Sequence, residues 1–369
     1  MTDKPITKPE HARPSGPGAG SQKRAKRAFV TGSTGLLGNN LVRILAAEGW
    51  SVRALARDPE KASRQLGGVD GVEVISGDLA DVAGFASALA GVDVVFNTAA
   101  YFREYDGDDD DKAVLHELNV EAPVLLANAA MAQGVSRFVH TSSAGVIQPK
   151  ADGSLGTEED IRSPEGLFNH YYASKVMADR ALAELRRDSG LDLVTVLPGW
   201  MFGPGDAAPT GAGELIRDAL AGKLPPVALP GNTSFVDARD VAQVMVRAAA
   251  LAESGERFIA AGHGVTVAEV ITLVAREVGC KPPRFTLPYW LALAYAWVAE
   301  TVARWRGIAP LITPMRVRTL KDGLRLSSAR AESRLGVRFR PIEHTLRDTV
   351  AWFRDRVDAP IAEVSPVAA

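Results

Sequence analysis

The chain has 369 residues, of which 46 % are apolar and 23 % charged, ordinary for a globular protein and enough to bury a sizeable core. A formal net charge of −2 gives no electrostatic footprint for nucleic acid. The single cysteine, Cys280, excludes an intramolecular disulfide framework and fits a reducing, cytoplasmic setting; six scattered histidines without ligand spacing give no metal site.

Residues 1–27 are rich in Pro, Gly, Ser and basic residues and lack the apolar run of a secretory signal, so 1–26 are expected to be a disordered tail. Arg27–Thr31 is a short apolar run, followed at once by Gly32-Ser33-Thr34-Gly35-Leu36-Leu37-Gly38 and a helical pattern from Asn39 to Glu48. In this strand, turn, helix order the glycines permit a tight turn and close backbone approach to a pyrophosphate, which then sits on the helix N-terminus. The next strand, Ser51–Ala56, closes at Arg57, where an acidic residue would bind a free ribose 2′-hydroxyl. Arg57 can instead fork onto a 2′-phosphate, with Lys61 a turn further on, so NADP is favoured over NAD; the neighbouring Asp58 speaks the other way.

Alternation continues through a strand at Val72–Ile75, a short helix from Asp81 to Leu89 and a strand at Val92–Asn97. A long helical pattern from about Lys112 to Gln133 leads to a fifth strand, Ser136–Thr141. Strand after helix after strand predicts an α/β, Rossmann-type, doubly wound parallel sheet with sites at the carboxyl ends of its strands. Hydroxyls stand at such an end in Ser142-Ser143. After a loop to Asn169, a helix runs to about Arg187 and a strand covers Leu191–Leu197. That helix opens with Tyr171-Tyr172-Ala173-Ser174-Lys175, which places Tyr171 and Lys175 one turn apart on one face. An ammonium held beside a phenol favours the phenolate and lowers its pKa from about 10. Tyr172 lacks the four-residue offset and is expected to point elsewhere. Beyond, a strand at Arg257–Ala260 and helices near 266–278, 288–306 and 341–356 are expected. Pro288–Trp305 is unusually apolar, too short and too polar at its end to span a bilayer. It reads as core or pocket lid, with peripheral membrane or dimer contact as the alternative.

In order along the chain stand Thr31-Gly32-x-x-Gly35-x-x-Gly38, Gly77-Asp78-Leu79, Asn97-Thr98-Ala99-Ala100, Ser142-Ser143, Tyr171-x-x-x-Lys175, Leu197-Pro198-Gly199 and Asp237-Ala238-Arg239-Asp240. Together they resemble an extended short-chain dehydrogenase/reductase, in the branch related to dihydroflavonol reductases and NAD(P)-dependent epimerase/dehydratases. The resemblance implies that Ser143 hydrogen-bonds the substrate oxygen, Tyr171 transfers a proton and Lys175 holds the nicotinamide ribose. It places Asp78 and Leu79 at the adenine, Thr98, Ala99 and Ala100 along the cofactor channel, and Pro198 with Gly199 at the carboxamide. It gives Asp240 a role in the fold. Asn119 lies where the family often has a functional asparagine. Pro123, four residues on, has no N–H to return to the Asn119 carbonyl, which is expected to hold a water joining Lys175 to solvent.

The implied activity is NADPH-dependent reduction of a ketone or aldehyde, or the reverse alcohol oxidation, on a fairly apolar small molecule. Pocket walls are expected from Tyr101, Phe102, Val146, Phe168, His170, Trp200, Met201 and Phe202, beside Ser143. A nucleotide-sugar epimerase or dehydratase is the alternative. Ala144-Gly145-Val146 departs from the Val-Tyr-Gly usual in epimerases, and Ser143-Ala144-Gly145 from the Thr-Asp-Glu of dehydratases. An NADP-sensing regulator is the third reading, disfavoured by the presence of Tyr171 and Lys175. The expected division is a cofactor domain over 27–198 with 235–262, a substrate region over 199–234 and 263–358, and a flexible tail at 359–369.

Overall fold

Apolar runs that alternate with amphipathic helices bury both faces by lying side by side in one parallel sheet. The computed structural model, which describes residues 24–102, 109–306 and 312–357, has this architecture. Its strands are β1 (Arg27–Thr31), β2 (Ser51–Ala56), β3 (Val72–Ser76), β4 (Val94–Asn97), β5 (Arg137–Thr141), β6 (Leu193–Pro198), β7 (Trp200–Phe202), β8 (Val227–Ala228), β9 (Asn232–Asp237), β10 (Arg257–Ala260), β11 (His263–Thr266) and β12 (Phe285–Thr286). The helices are α1 (Leu36–Ala47), α2 (Pro59–Leu66), α3 (Val82–Phe85), α4 (Asp109–His116), α5 (Ala122–Ala132), α6 (His170–Ser189), α7 (Gly211–Leu220), α8 (Ala238–Leu251), α9 (Val267–Val278), α10 (Tyr289–Trp305), α11 (Pro314–Asp322), α12 (Ala329–Leu335) and α13 (Ile342–Val357).

Seven strands form the main sheet in the order β10-β6-β5-β4-β1-β2-β3, all parallel. Its direction of winding reverses between β1 and β4, which opens a crevice at their carboxyl ends. One face is covered by α1 and α8 through residues such as Leu41, Leu45, Val244 and Met245, the other by α3, α5 and α6 through Phe85, Leu126 and Leu182. A second layer, β11-β9-β7 with α7, α9 and α13, closes over Phe202, Phe235 and Phe353 at the end of the sheet where the crevice opens. Asp240 on α8 accepts the Arg340 backbone N–H at 2.7 Å and pairs with its guanidinium, which ties α13's approach to the sheet, as its expected fold role requires.

The predicted helix from Lys112 to Gln133 is interrupted. A wide π-helical turn, Glu117–Glu121, separates α4 from α5, and Pro123 stands in the first turn of α5. Proline removes one donor from the α ladder, and the backbone widens by a residue where that bond is lost. The short helices α11 and α12 and the small strands β7, β8, β9, β11 and β12 were not separated in the sequence, because their apolar residues are too few to set a period. The largest departure is α10. Its core side is a narrow seam of Ala292 and Ala296 against Val317, and most of its aromatic side chains face outward, so it is neither core nor buried lid.

Candidate active site

At the crevice, β1 ends in Thr31, whose hydroxyl donates to Asn97 Oδ1 (2.7 Å) and accepts the N–H groups of Thr98 (3.1 Å) and Ala99 (3.2 Å). The Thr98 hydroxyl donates back to the Thr31 carbonyl at 2.6 Å. This stitching brings the β4 end hard against the glycine turn. Gly32 has φ +63, and a Cβ there would lie 2.8 Å from the Ala99 nitrogen; a Cβ on Gly38 would overlap the Gly32 carbonyl. The glycines therefore serve close packing of turn, helix and strand as well as ligand approach. Helix α1 starts at Gly35 with no side-chain cap and no acidic residue in its first turn. Its free N–H groups suit a pyrophosphate, so the residues present fit a dinucleotide.

The Ser33 hydroxyl is spent on the Leu55 carbonyl (2.8 Å), which fixes the turn against β2. Asp58 caps α2, accepting the Lys61 N–H at 2.9 Å, so its carboxylate serves the helix while Arg57 lies exposed at the end of β2. Asp78 is exposed and accepts the Ala80 N–H, and Leu79 is packed into the core beneath it.

Helix α6 is launched by Asn169, whose side chain accepts the Tyr172 N–H at 3.0 Å. This sets Tyr171 and Lys175 on the face turned to the β5 end. Tyr171 and Ser143 line the same cleft, and the Ser143 hydroxyl accepts the Gly145 N–H at 3.1 Å. Phe102 holds the Tyr171 ring edge-on with centroids 4.8 Å apart. Lys175 is almost wholly buried; its Nζ donates to the Thr141 carbonyl at 3.0 Å and lies 5.9 Å from the Tyr171 ring centroid. Asn119, on the wide turn, clamps the Tyr101 backbone from both sides (2.8 and 2.9 Å) and reaches the Ser174 hydroxyl at 3.1 Å. Its side chain thus joins the end of β4 to the helix that carries the tyrosine and lysine.

Burial pushes the Tyr171 phenol well above its ordinary range, helped by Tyr172 and opposed by the Ser143 hydroxyl. The lowered pKa expected from Lys175 does not arise in this geometry: Nζ stands 5.9 Å from the ring centroid and desolvation dominates. Burial lowers Lys175 to about 8, with Asp179 opposing the shift. Between about 8 and the ordinary 10.5 the unfolded chain holds a proton that the folded chain releases, so this group's contribution to stability rises with pH across that window. Activity moves the other way. If the charged ammonium supports turnover, kcat/KM falls as pH rises through about 8, and Lys175→Arg carries that alkaline limb upward. A pH–rate profile of the two proteins checks it.

A cleft of about 500 Å³ runs from Gly32, Gly35 and Gly38 past Thr98 and Ala100 to Ser143, Tyr171 and Lys175, with Pro198 and Gly199 on its wall. It continues between Phe102, Trp200 and Met201 into a pocket lined by Leu215 and Val227, Ile271 of α9, and Met315 and Leu320 of α11. Five expected wall residues do not join this lining. Val146 and Phe202 are fully buried in separate core clusters, Phe168 is exposed, and His170 is the first residue of α6. Tyr101 is held by Asn119 at the rim. Tyr172 does line the cleft, contrary to expectation, because its ring packs flat on Gly145, where any Cβ would run into it. The α9 and α11 contributions carry no motif in sequence and arise only from the packing of the distal third of the chain.

A family model described as the NAD dependent epimerase/dehydratase family matches residues 28–261. A curated relative, sterol demethylase protein B of Methylococcus capsulatus, is 33 % identical over 89 % of this chain and 98 % of its own length. A second, the putative dihydroflavonol 4-reductase of Synechocystis, is 30 % identical over 89 % of this chain and 94 % of its own. Among solved structures, that of gox2253 superposes with a TM-score of 0.78 at 29 % identity, over 89 % of this chain and 98 % of the other. The glycine turn, the stitched β1–β4 crevice and the Ser143–Tyr171–Lys175 cluster therefore belong to a member of the NAD-dependent epimerase/dehydratase family, an NAD(P)-dependent oxidoreductase of the extended short-chain dehydrogenase/reductase type.

Proposed function

We propose that the protein is an NADPH-dependent reductase of a ketone or aldehyde on an apolar small molecule, also able to run the reverse alcohol oxidation. The carrying observation is that Tyr171, Ser143 and Lys175 line one cleft where the glycine turn meets a largely aliphatic and aromatic pocket. Bound NADPH supplies hydride to the carbonyl carbon. A carbonyl oxygen set between the two hydroxyls receives a hydrogen bond from Ser143 and the proton of Tyr171. The raised pKa leaves the phenol protonated at neutral pH but makes it a weaker acid, so its proton moves only as negative charge develops on the carbonyl oxygen. Lys175, held by the Thr141 carbonyl, keeps further N–H groups for the nicotinamide ribose. The Asn119 carbonyl, at the wide turn, would seat a water that returns a proton through Lys175. The pocket's makeup, and relatives named for a sterol and a dihydroflavonol, favour an apolar carbonyl over a diphosphosugar.

A panel of hydrophobic ketones and aldehydes, assayed by NADPH oxidation, tests this reading. Turnover of a ketone carries it. Conversion of a nucleotide sugar without net cofactor oxidation overturns it. Arg57→Glu is expected to raise the KM for NADPH at least about tenfold while leaving NADH little changed, because a carboxylate repels a 2′-phosphate and accepts from a free hydroxyl. Equal KM values for NADPH in variant and parent would remove Arg57 from the cofactor site.

A further inference from the structure

Helix α10 is apolar on both sides. Toward the protein, Ala292 and Ala296 pack on Val317 of α11. Away from it stand Trp290, Tyr295, Trp297, Val298, Val302 and Trp305, with Trp290 70 % and Trp305 85 % exposed. At about 100° per residue these six occupy one continuous arc of roughly 160°. Thr301 is its one polar member, and Arg304 lies at its margin, bonded to Glu300 at 2.7 Å. At roughly 200 Å² per aromatic side chain, the four aromatics alone expose on the order of 500 Å², as large as the whole apolar patch of a typical monomer. A helix with this pattern belongs under something.

Charge chooses among the occupants. From Lys281 to Arg325 the chain has eight Lys and Arg residues against two acids, Glu300 and Asp322, in a protein whose net charge is −2. Arg304 and Arg306 mark one end of the helix, and at the other Lys321 lies over the Tyr289 ring at 4.3 Å from its centroid. A second copy seated on the same face would bring this positive stretch against itself. The sequence of residues 1–23 carries the same sign of net charge and few apolar residues. An anionic lipid surface satisfies both features: Trp and Tyr sit at the level of the headgroups, and the surrounding cations meet the negative surface. Among the described residues no helix is long and apolar enough to cross a membrane, and 17 residues span only about 25 Å, so α10 would lie in the plane.

We infer that the outer face of α10 docks on an anionic lipid surface as an in-plane anchor. The placement has a consequence for the cleft. Helix α11 carries α10 through Val317 and lines the substrate pocket with Met315, Thr319 and Leu320, so docking sets that pocket wall beside the bilayer. A substrate drawn from the lipid phase rests on the reductase reading above; the docking itself does not.

The test uses the full chain without cofactor or substrate, so it stands apart from the assignment of activity. The protein is sedimented with vesicles of phosphatidylcholine, alone or mixed with phosphatidylglycerol, at low and high salt. Binding to the mixed vesicles that weakens with salt, and that drops at least about tenfold in Trp290→Ser/Trp305→Ser, is the expected result. Both positions are exposed, so far-ultraviolet circular dichroism and the melting temperature stay unchanged in the variant. Failure to sediment with either vesicle overturns the inference, as does a variant that binds as the parent does. A dimer in sedimentation equilibrium that the same substitutions dissociate, without lipid binding, assigns the face to a second copy instead.

Discussion

Tyr171→Phe lowers kcat for carbonyl reduction by about 10³-fold, within the range that a positioned general acid contributes. The substitution removes only the hydroxyl. The ring keeps its edge-on contact with Phe102 and its place in the first turn of α6, and Ser143 keeps the Gly145 N–H. Stability and NADPH affinity, read by thermal unfolding and cofactor fluorescence, therefore stay close to those of the parent. A comparable loss in affinity would mean that the phenol holds cofactor rather than moving a proton. Retained turnover would end the proton-donor role altogether.

The second large effect lies one turn below the site. Asp179 is buried, accepts the Ser142 hydroxyl at 2.9 Å, and has Arg257 3.7 Å and His140 Nε2 3.9 Å away. Asn97 donates to His140 Nδ1 at 3.2 Å while its own oxygen is held by Thr31, which leaves the His140 proton on Nε2, facing the carboxylate. Burial lowers the His140 pKa, so the imidazole stays neutral. Burial also raises that of Asp179, opposed by Arg257, the Ser142 hydroxyl and Lys175, and its carboxylate is the counter-charge for the two cations. Asp179→Ala strips that charge from the buried Lys175 and the partly buried Arg257 and frees Ser142 beside Ser143. The expected cost is about 3–5 kcal/mol of stability, measured by urea unfolding of the cofactor-free protein. Asp179→Asn keeps the shape and loses less. Because Asp179 is what opposes the fall of the Lys175 pKa, the alkaline limb of its pH–rate profile moves below that of the parent. An unmoved limb would show that the carboxylate braces the fold without tuning the lysine.

Much of this site is written in short spans. Gly32 to Gly38, Ser143 and the Tyr171–Lys175 offset each depend on a single turn or helix face, and local geometry delivers them without reference to the rest of the chain. Asn119 was legible for a related reason, since Pro123 breaks the ladder wherever the helix lies. What the asparagine side chain does was not legible. Its grip on the Tyr101 backbone and Ser174 requires two segments 18 and 55 residues away.

By itself the sequence determined the doubly wound sheet, the glycine turn before α1 and the one-turn offset of Tyr171 and Lys175, because periodicity and spacing are properties of neighbouring residues. Tertiary structure decided the rest. It turned the Tyr171 pKa upward, since desolvation depends on the atoms packed around a group and not on its neighbours along the chain. It placed Tyr172 in the cleft and Val146 and Phe202 in the core, choices made by strand and loop packing. It also left α10 uncovered. Apolar composition says that a segment avoids water, but only the assembled fold shows whether the protein itself supplies the cover.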